Sequence, residues 1–149
     1  TYNLHILVRF EIEQAFVNGN LSPKDIPSAW NEKFKSYLGI LPSDDAKGCL
    51  QDVHWSMGYI GYFPTYSLGN LYSAEFFNQA KKELGDLDEQ FTKGEFIQLK
   101  EWLNQKIHRL GQRYRAEKLV EVITGQPLSH RHLMDYLKTK YSQLYGIGK

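Results

Sequence analysis

The sequence predicts an all-α fold, and three observations lead there. Apolar residues recur at helical spacing in window after window, glycines fall at the ends of those windows, and no alternating strand pattern of useful length occurs anywhere in the 149 residues. Length and a hydrophobic content of 42% against 23% charged residues suit a single helical domain over residues 1–149 with a real core, not a disordered chain.

Taken in order, the first helix is expected over Leu4 to Val17, stopped by Asn18-Gly19-Asn20. Its apolar residues lie nearly all round, with Leu4, Leu7, Val8, Ile12 and Ala15 on one side and Ile6, Phe10 and Val17 on another. Such a helix is expected to be buried in a large protein. Its polar exceptions are His5, Arg9 and Glu13 at i, i+4 spacing, plus Glu11, a candidate buried structural carboxylate. Ser22-Pro23-Lys24-Asp25 and Pro27 announce a second helix that turns Trp30, Phe34, Tyr37 and Leu38 inward and ends at Gly39. Leu41 to Lys47 reads as a loop. A third helix is expected from Tyr66 to Leu84 with Gly85 as its cap. Thr92-Lys93-Gly94-Glu95 reads as a capping box opening a helix through Phe96, Leu99, Leu103, Ile107 and Leu110 to Gly111. Ala116 to Ile123 gives a short helix closed by Gly125, and Ser129 caps a last one that ends at Gly146.

Bulk properties exclude several functions. Eighteen basic against seventeen acidic residues leave a formal charge of +1, too little surplus for phosphate-driven binding of a nucleic acid. The run Lys106, His108, Arg109, Arg113, Arg115, Lys118 reads as a solvated helix end or a nucleic-acid surface, and the neutral total weighs for the first. The single cysteine, Cys49, makes no internal disulfide, fits a reducing, cytoplasmic setting, and reads as a small core residue. No apolar run reaches the roughly 18 residues of a membrane span, so no membrane partner is expected. The chain opens at Thr1 with no methionine, straight into a helical segment, which reads as a fragment boundary.

Residues 48–66 stand apart. Three tyrosines, a tryptophan and a Gln51-Asp52-Val53-His54 cluster share a stretch punctuated by glycine and proline. Loops usually shed large aromatics, so this one either packs under other structure or lines a pocket. A histidine and tyrosine hydroxyls donate to a developing oxyanion, and Asp52 is placed to fix the tautomer of His54. A satisfied polar cluster beneath packed aromatics is the structural alternative.

Gly48-Cys49-Leu50-Gln51-Asp52-Val53-His54-Trp55 fits a GxxQDxHW signature, and Gly61-Tyr62-Phe63-Pro64-Thr65-Tyr66-Ser67-Leu68-Gly69-Asn70-Leu71-Tyr72 continues it. Together they resemble the C-terminal part of the carboxypeptidase Taq family, thermostable zinc metallocarboxypeptidases. Thr1-Tyr2-Asn3-Leu4-His5-Ile6, Arg9-Phe10-Glu11, Ala29-Trp30-Asn31-Glu32-Lys33, Tyr37-Leu38-Gly39 and Thr124-Gly125-Gln126-Pro127-Leu128 extend the resemblance over the whole chain.

The resemblance implies a larger, nearly all-helical, commonly homodimeric enzyme that removes C-terminal residues from peptides. It also implies zinc on an HExxH helix with a further glutamate ligand, the motif glutamate acting as general base. None of His5, His54, His108, His130 and His132 begins an HExxH. The zinc-binding part is therefore expected in a missing N-terminal portion, with no metal ligand in this chain and no activity from it alone. On this reading residues 48–66 supply the wall opposite the zinc. His54 and Tyr66, with Tyr62 as the alternative tyrosine, are expected as oxyanion donors, Gln51 and Asp52 as the residues that orient His54, and Trp55 as packing of the pocket floor. Met57 is given no catalytic duty. Arg9 is either the cation for the substrate's terminal carboxylate or the partner of Glu13 in an i, i+4 ion pair, the commoner arrangement. The rival to the whole reading is a free-standing helical binding or structural module.

Overall fold

α1 runs from Tyr2 to Val17, two residues ahead of the expected start, with the Thr1 carbonyl accepting the N–H groups of Leu4 and His5. These facts come from a computed structural model that describes residues 1–147. A 3-10 turn over Pro23–Asp25 leads into α2, Ile26–Leu38, which stops at Gly39 as the sequence indicates. Residues 41–47 hold no helix. The chain divides into two compact units, Thr1–Leu68 and Gly69–Lys149.

In the first unit α2 packs on α1 through Val8 and Ile12 against Trp30 and Phe34, with Cys49 completing the cluster. Trp30 stacks on Phe34 at 4.7 Å. Burying each such large apolar side chain contributes about 1.5–3 kcal/mol, and this cluster is what fixes α1 relative to α2. Cys49 is thus a core residue, its thiol pushed up by burial and by Asp45. The buried side of α1 is narrower than its composition suggests: Ile6, Val8, Ile12 and Glu13 are covered, whereas Leu7 and Val17 are exposed. Glu11 is not the buried carboxylate expected of it. Its side chain is 33% exposed and accepts hydrogen bonds from Lys33 and Tyr37, tying α1 to α2 at the surface.

The 48–66 stretch is more regular than a loop. A 3-10 turn, Cys49–Gln51, is followed by the single-turn helix α3, Val53–Ser56. α4, Pro64–Leu84, then begins two residues before Tyr66, at the proline, whose missing N–H costs nothing in a first helical turn.

The second unit contains most of α4, then α5 (Leu87–Thr92), α6 (Ile97–Lys106), α7 (Ala116–Thr124) and α8 (Arg131–Tyr145). Ala80, Leu87, Trp102 and Ile123 form its core, with Phe76, Leu84, Phe91, Leu99 and Leu103 packed around them. The capping box at Thr92 is absent. Thr92 is instead the last residue of α5, its hydroxyl bonded to the Glu89 carbonyl, and Gly94 turns the chain at φ +76°. The helix start lies just upstream of Thr92. Asp86 accepts the Glu89 N–H, an Asp-x-x-Glu start for α5. α6 also stops short, because Ile107 leaves helical geometry and His108–Leu110 is a 3-10 turn. The cap expected at Ser129 falls one residue later: His130 is the N-cap of α8, and the Ser129 hydroxyl lies just ahead of it, accepting the Arg131 N–H. Among the described residues there is no strand, and no helix is long and apolar enough to cross a membrane.

Candidate active site

Asp52 organises the site, and its position follows from local chemistry. As N-cap of α3 it has extended backbone, and Oδ1 accepts the N–H groups of His54 at 2.9 Å and Trp55 at 3.4 Å. The same carboxylate turns Oδ2 to α1, where the Arg9 Nε–H donates to it at 2.6 Å. Only 3% of the Asp52 side chain is exposed, so this is a buried ion pair that survives desolvation because both of its oxygens are occupied.

Arg9 is itself held from three sides. Nη1 donates to the His5 carbonyl at 2.8 Å, and the guanidinium lies 4.6 Å from the Trp30 ring centre and 5.3 Å from that of Phe63. The ion pair with Glu13 expected at i, i+4 does not form. Glu13 points into the core, where Oε1 accepts the Trp55 indole N–H at 2.9 Å. A carboxylate 43 residues away wins Arg9 because it is fixed as a helix cap beside the α1 surface.

His54 stands between two polar partners. Nδ1 lies 3.3 Å from Asp52 Oδ1, and Nε2 lies 2.9 Å from the Tyr66 hydroxyl. With its proton on Nδ1, facing the carboxylate, the neutral ring accepts the Tyr66 O–H. A protonated ring donates Nε2–H to the Tyr66 oxygen and turns the hydroxyl proton outward. Tyr66 is pushed above the ordinary phenol value by burial first, then by Tyr62, Tyr2 and Asp52 nearby, so at neutral pH it is a phenol and a donor. Phe63, 5% exposed, packs against the His54 ring at a tilt, with the ring centres 4.8 Å apart.

These groups line one open cleft of about 640 Å³ in the first unit, together with His5 and Gln51. Of the residues singled out from sequence, the structure brings His54, Tyr66, Asp52, Gln51 and Arg9 to this cleft. Tyr62 lies beside it, its ring stacked on His54 at 5.7 Å and 48% exposed. Trp55 turns the other way, edge-on to Trp30 at 5.8 Å, and backs the Asp52 turn from the core. Met57 is exposed.

Two contributors went unread in the sequence. Phe63 carries a local signal, an apolar residue just before the proline that opens α4. His5 carries none: its ring meets Phe34 edge-on at 5.2 Å, and burial, then the Arg9 charge, lowers its pKa and keeps it neutral.

Among the described residues no group of three or more His, Cys, Asp or Glu is placed to hold a metal ion. The histidine pair near the C-terminus is spent elsewhere. His132 Nε2 lies 3.5 Å from the buried Glu75, which also accepts the Ser129 N–H, while His130 is the N-cap of α8.

Residues 1–141 match the family model described as carboxypeptidase Taq (M32) metallopeptidase. Thermostable carboxypeptidase 1 of Thermus thermophilus is 52% identical over 146 residues, which is 98% of this chain and 29% of that protein. Carboxypeptidase 1 of Bacillus subtilis is 46% identical over 145 residues, 97% of this chain and 29% of that protein. The crystal structure of the M32 carboxypeptidase from Deinococcus radiodurans R1 superposes with a TM-score of 0.94 at 38% identity, covering 98% of this chain and 30% of that one. The chain thus spans about 29% of the length of the curated relatives it matches.

Proposed function

This chain belongs to the carboxypeptidase Taq (M32) metallopeptidase family, and from that premise we propose that it supplies one wall of a peptide-hydrolysing active site. The observation that carries the reading is the His54 Nε2 to Tyr66 hydroxyl contact at 2.9 Å, backed by Asp52 at the other ring nitrogen and opening on a cleft. Two adjacent donors of this kind suit a tetrahedral oxyanion. As the carbonyl oxygen of the scissile bond gains charge, the Tyr66 O–H and the Nε2–H of a protonated His54 ring would both turn to it, already in place and partly shielded from water. Tyr62 covers the outer face of His54 and is the alternative hydroxyl.

The metal, which we take to be zinc, would be held by residues outside this chain and would polarise the same carbonyl and activate water when bound. Gln51 borders the cleft from the 3-10 turn and would meet substrate or His54 from that side. Arg9, the candidate cation for the substrate's terminal carboxylate, lines the cleft, but its Nε and Nη1 are already engaged by Asp52 and the His5 carbonyl. Trp55 joins the reading from beneath, as the packing that supports the Asp52 turn. The proposed substrates are peptides with a free C-terminus. We take the whole protein to be a homodimer on the family resemblance alone, and a cytoplasmic setting is supported by the single, buried Cys49.

The test is His54→Gln and Tyr66→Phe in the full-length protein that carries this chain, assayed for release of C-terminal residues. Each variant is expected to lose about 100- to 1,000-fold in kcat, the usual cost of one oxyanion donor, with KM little changed. Turnover at the parental rate in both variants would remove this wall from the chemistry.

A further inference from the structure

We infer that Arg9 is a positioning residue for the His54–Tyr66 pair, acting through Asp52; this rests on the role given to that pair above. The argument begins with how completely the guanidinium is fixed. Its Nε meets Asp52 Oδ2 at 2.6 Å, its Nη1 meets the His5 carbonyl at 2.8 Å, and Trp30 and Phe63 lie within 4.6 and 5.3 Å of its centre. A planar cation so clamped leaves its partner carboxylate one orientation.

That orientation sets the rest of the line. With Oδ2 held by α1, Oδ1 points at the first turn of α3 and meets the His54 N–H at 2.9 Å and the His54 Nδ1 at 3.3 Å. One carboxylate oxygen thereby fixes both the backbone and the ring of His54. The ring's other nitrogen arrives 2.9 Å from Tyr66. The exposed surface pairs have no such consequence: Lys93 with Glu89, or Lys118 with Glu121, join residues of which 45% or more of the side chain is exposed. Arg9 and Asp52 are 14% and 3% exposed, so water supplies little replacement for either partner. Loss of Arg9 would leave a buried carboxylate free to rotate, and His54 would lose its bearing.

Arg9→Met, Arg9→Lys, Asp52→Asn and the double variant Arg9→Met/Asp52→Asn, made in the full-length protein, test this. Asn still caps a helix, so Asp52→Asn removes the charge while keeping the cap. Arg9→Met is expected to lower kcat about 10- to 100-fold, as removal of a group that orients a functional side chain does, with KM nearly unchanged. Arg9→Lys keeps a charge without the fork and should fall between, which also covers a failure of Arg9→Met to fold. The double variant should be no slower than Asp52→Asn alone, because Arg9 acts only through that carboxylate. Independently of activity, backbone amide exchange should quicken at His54 and Trp55 in Arg9→Met, and not in α2.

A rise in KM with kcat retained would overturn the inference and assign Arg9 to the substrate's carboxylate. Losses that multiply in the double variant would overturn it too, since Arg9 would then act apart from Asp52. His54→Gln separates the two levels: if it leaves kcat intact, the reading of the site fails. If His54→Gln is slow while Arg9→Met is not, only the role of Arg9 does.

Discussion

Trp55 in the first unit and Trp102 in the second make the same bond in different surroundings. Trp55 donates its indole N–H to Glu13 at 2.9 Å, and Trp102 donates to Glu83 at 2.8 Å. Glu13 is 4% exposed, and its Oε2 is buried with no hydrogen-bond partner among the described residues. Glu83 has 31% of its side chain exposed and also receives Gln79 and Lys106. The second unit thus satisfies a core tryptophan at its margin, where water completes the carboxylate's shell. The first unit takes the acceptor inside and leaves one oxygen unmatched. Buried polar groups with few alternatives hold one geometry firmly, which suits the role proposed for the His54–Tyr66 wall; the margin arrangement suits stability alone.

The largest effect that sharpens this contrast comes from deleting the two acceptors. Glu13→Ala strands an indole N–H in the core and should cost about 1–3 kcal/mol in denaturant unfolding. Glu83→Ala should cost less than Glu13→Ala, about 1 kcal/mol or below, because water reaches the vacated site. Equal losses would erase the distinction between core and margin.

A smaller effect is read in acid. Glu83 is lowered below its ordinary value of 4.5 by hydrogen bonds from Gln79 and Trp102, and Glu11 is lowered by those from Lys33 and Tyr37. A carboxylate with a depressed folded pKa contributes stability that is complete above the unfolded value and is lost as pH falls through the folded one. Stability should therefore decline with acid below pH 4.5, and Glu83→Gln or Glu11→Gln should flatten that slope. Because both side chains are about a third exposed, solvent screening keeps each contribution small. An unchanged slope in both variants would show these bonds to be absent in solution.

The smallest effect belongs to the surface. Lys93→Ala breaks an i, i+4 pair with Glu89 in which both side chains are more than half exposed. It should shift stability by about 0.5 kcal/mol or less, and that shift should vanish in high salt. A larger loss would mean that margin pairs rival the buried one.

Helical spacing, terminal glycines and the GxxQDxHW segment indicated most of the elements and three residues that line the cleft, Gln51, Asp52 and His54, because these features act over one or two turns of chain. The start of α5 was equally local, since Asp86-x-x-Glu89 is a helix signal as good as the one read at Thr92. Its neighbour misled because Thr-x-x-Glu also fits the end of a helix followed by a glycine turn.

What the sequence determined by itself, then, is the helical class, the family and the chemistry present at Asp52, His54 and Tyr66. Tertiary structure decided the partners. Arg9 had an acidic residue four positions away and chose one 43 positions away. Trp55, expected at a pocket floor, became a core donor to Glu13. Pairing of buried charges depends on which carboxylate is already desolvated and fixed when the helices pack, and no window of sequence contains that information.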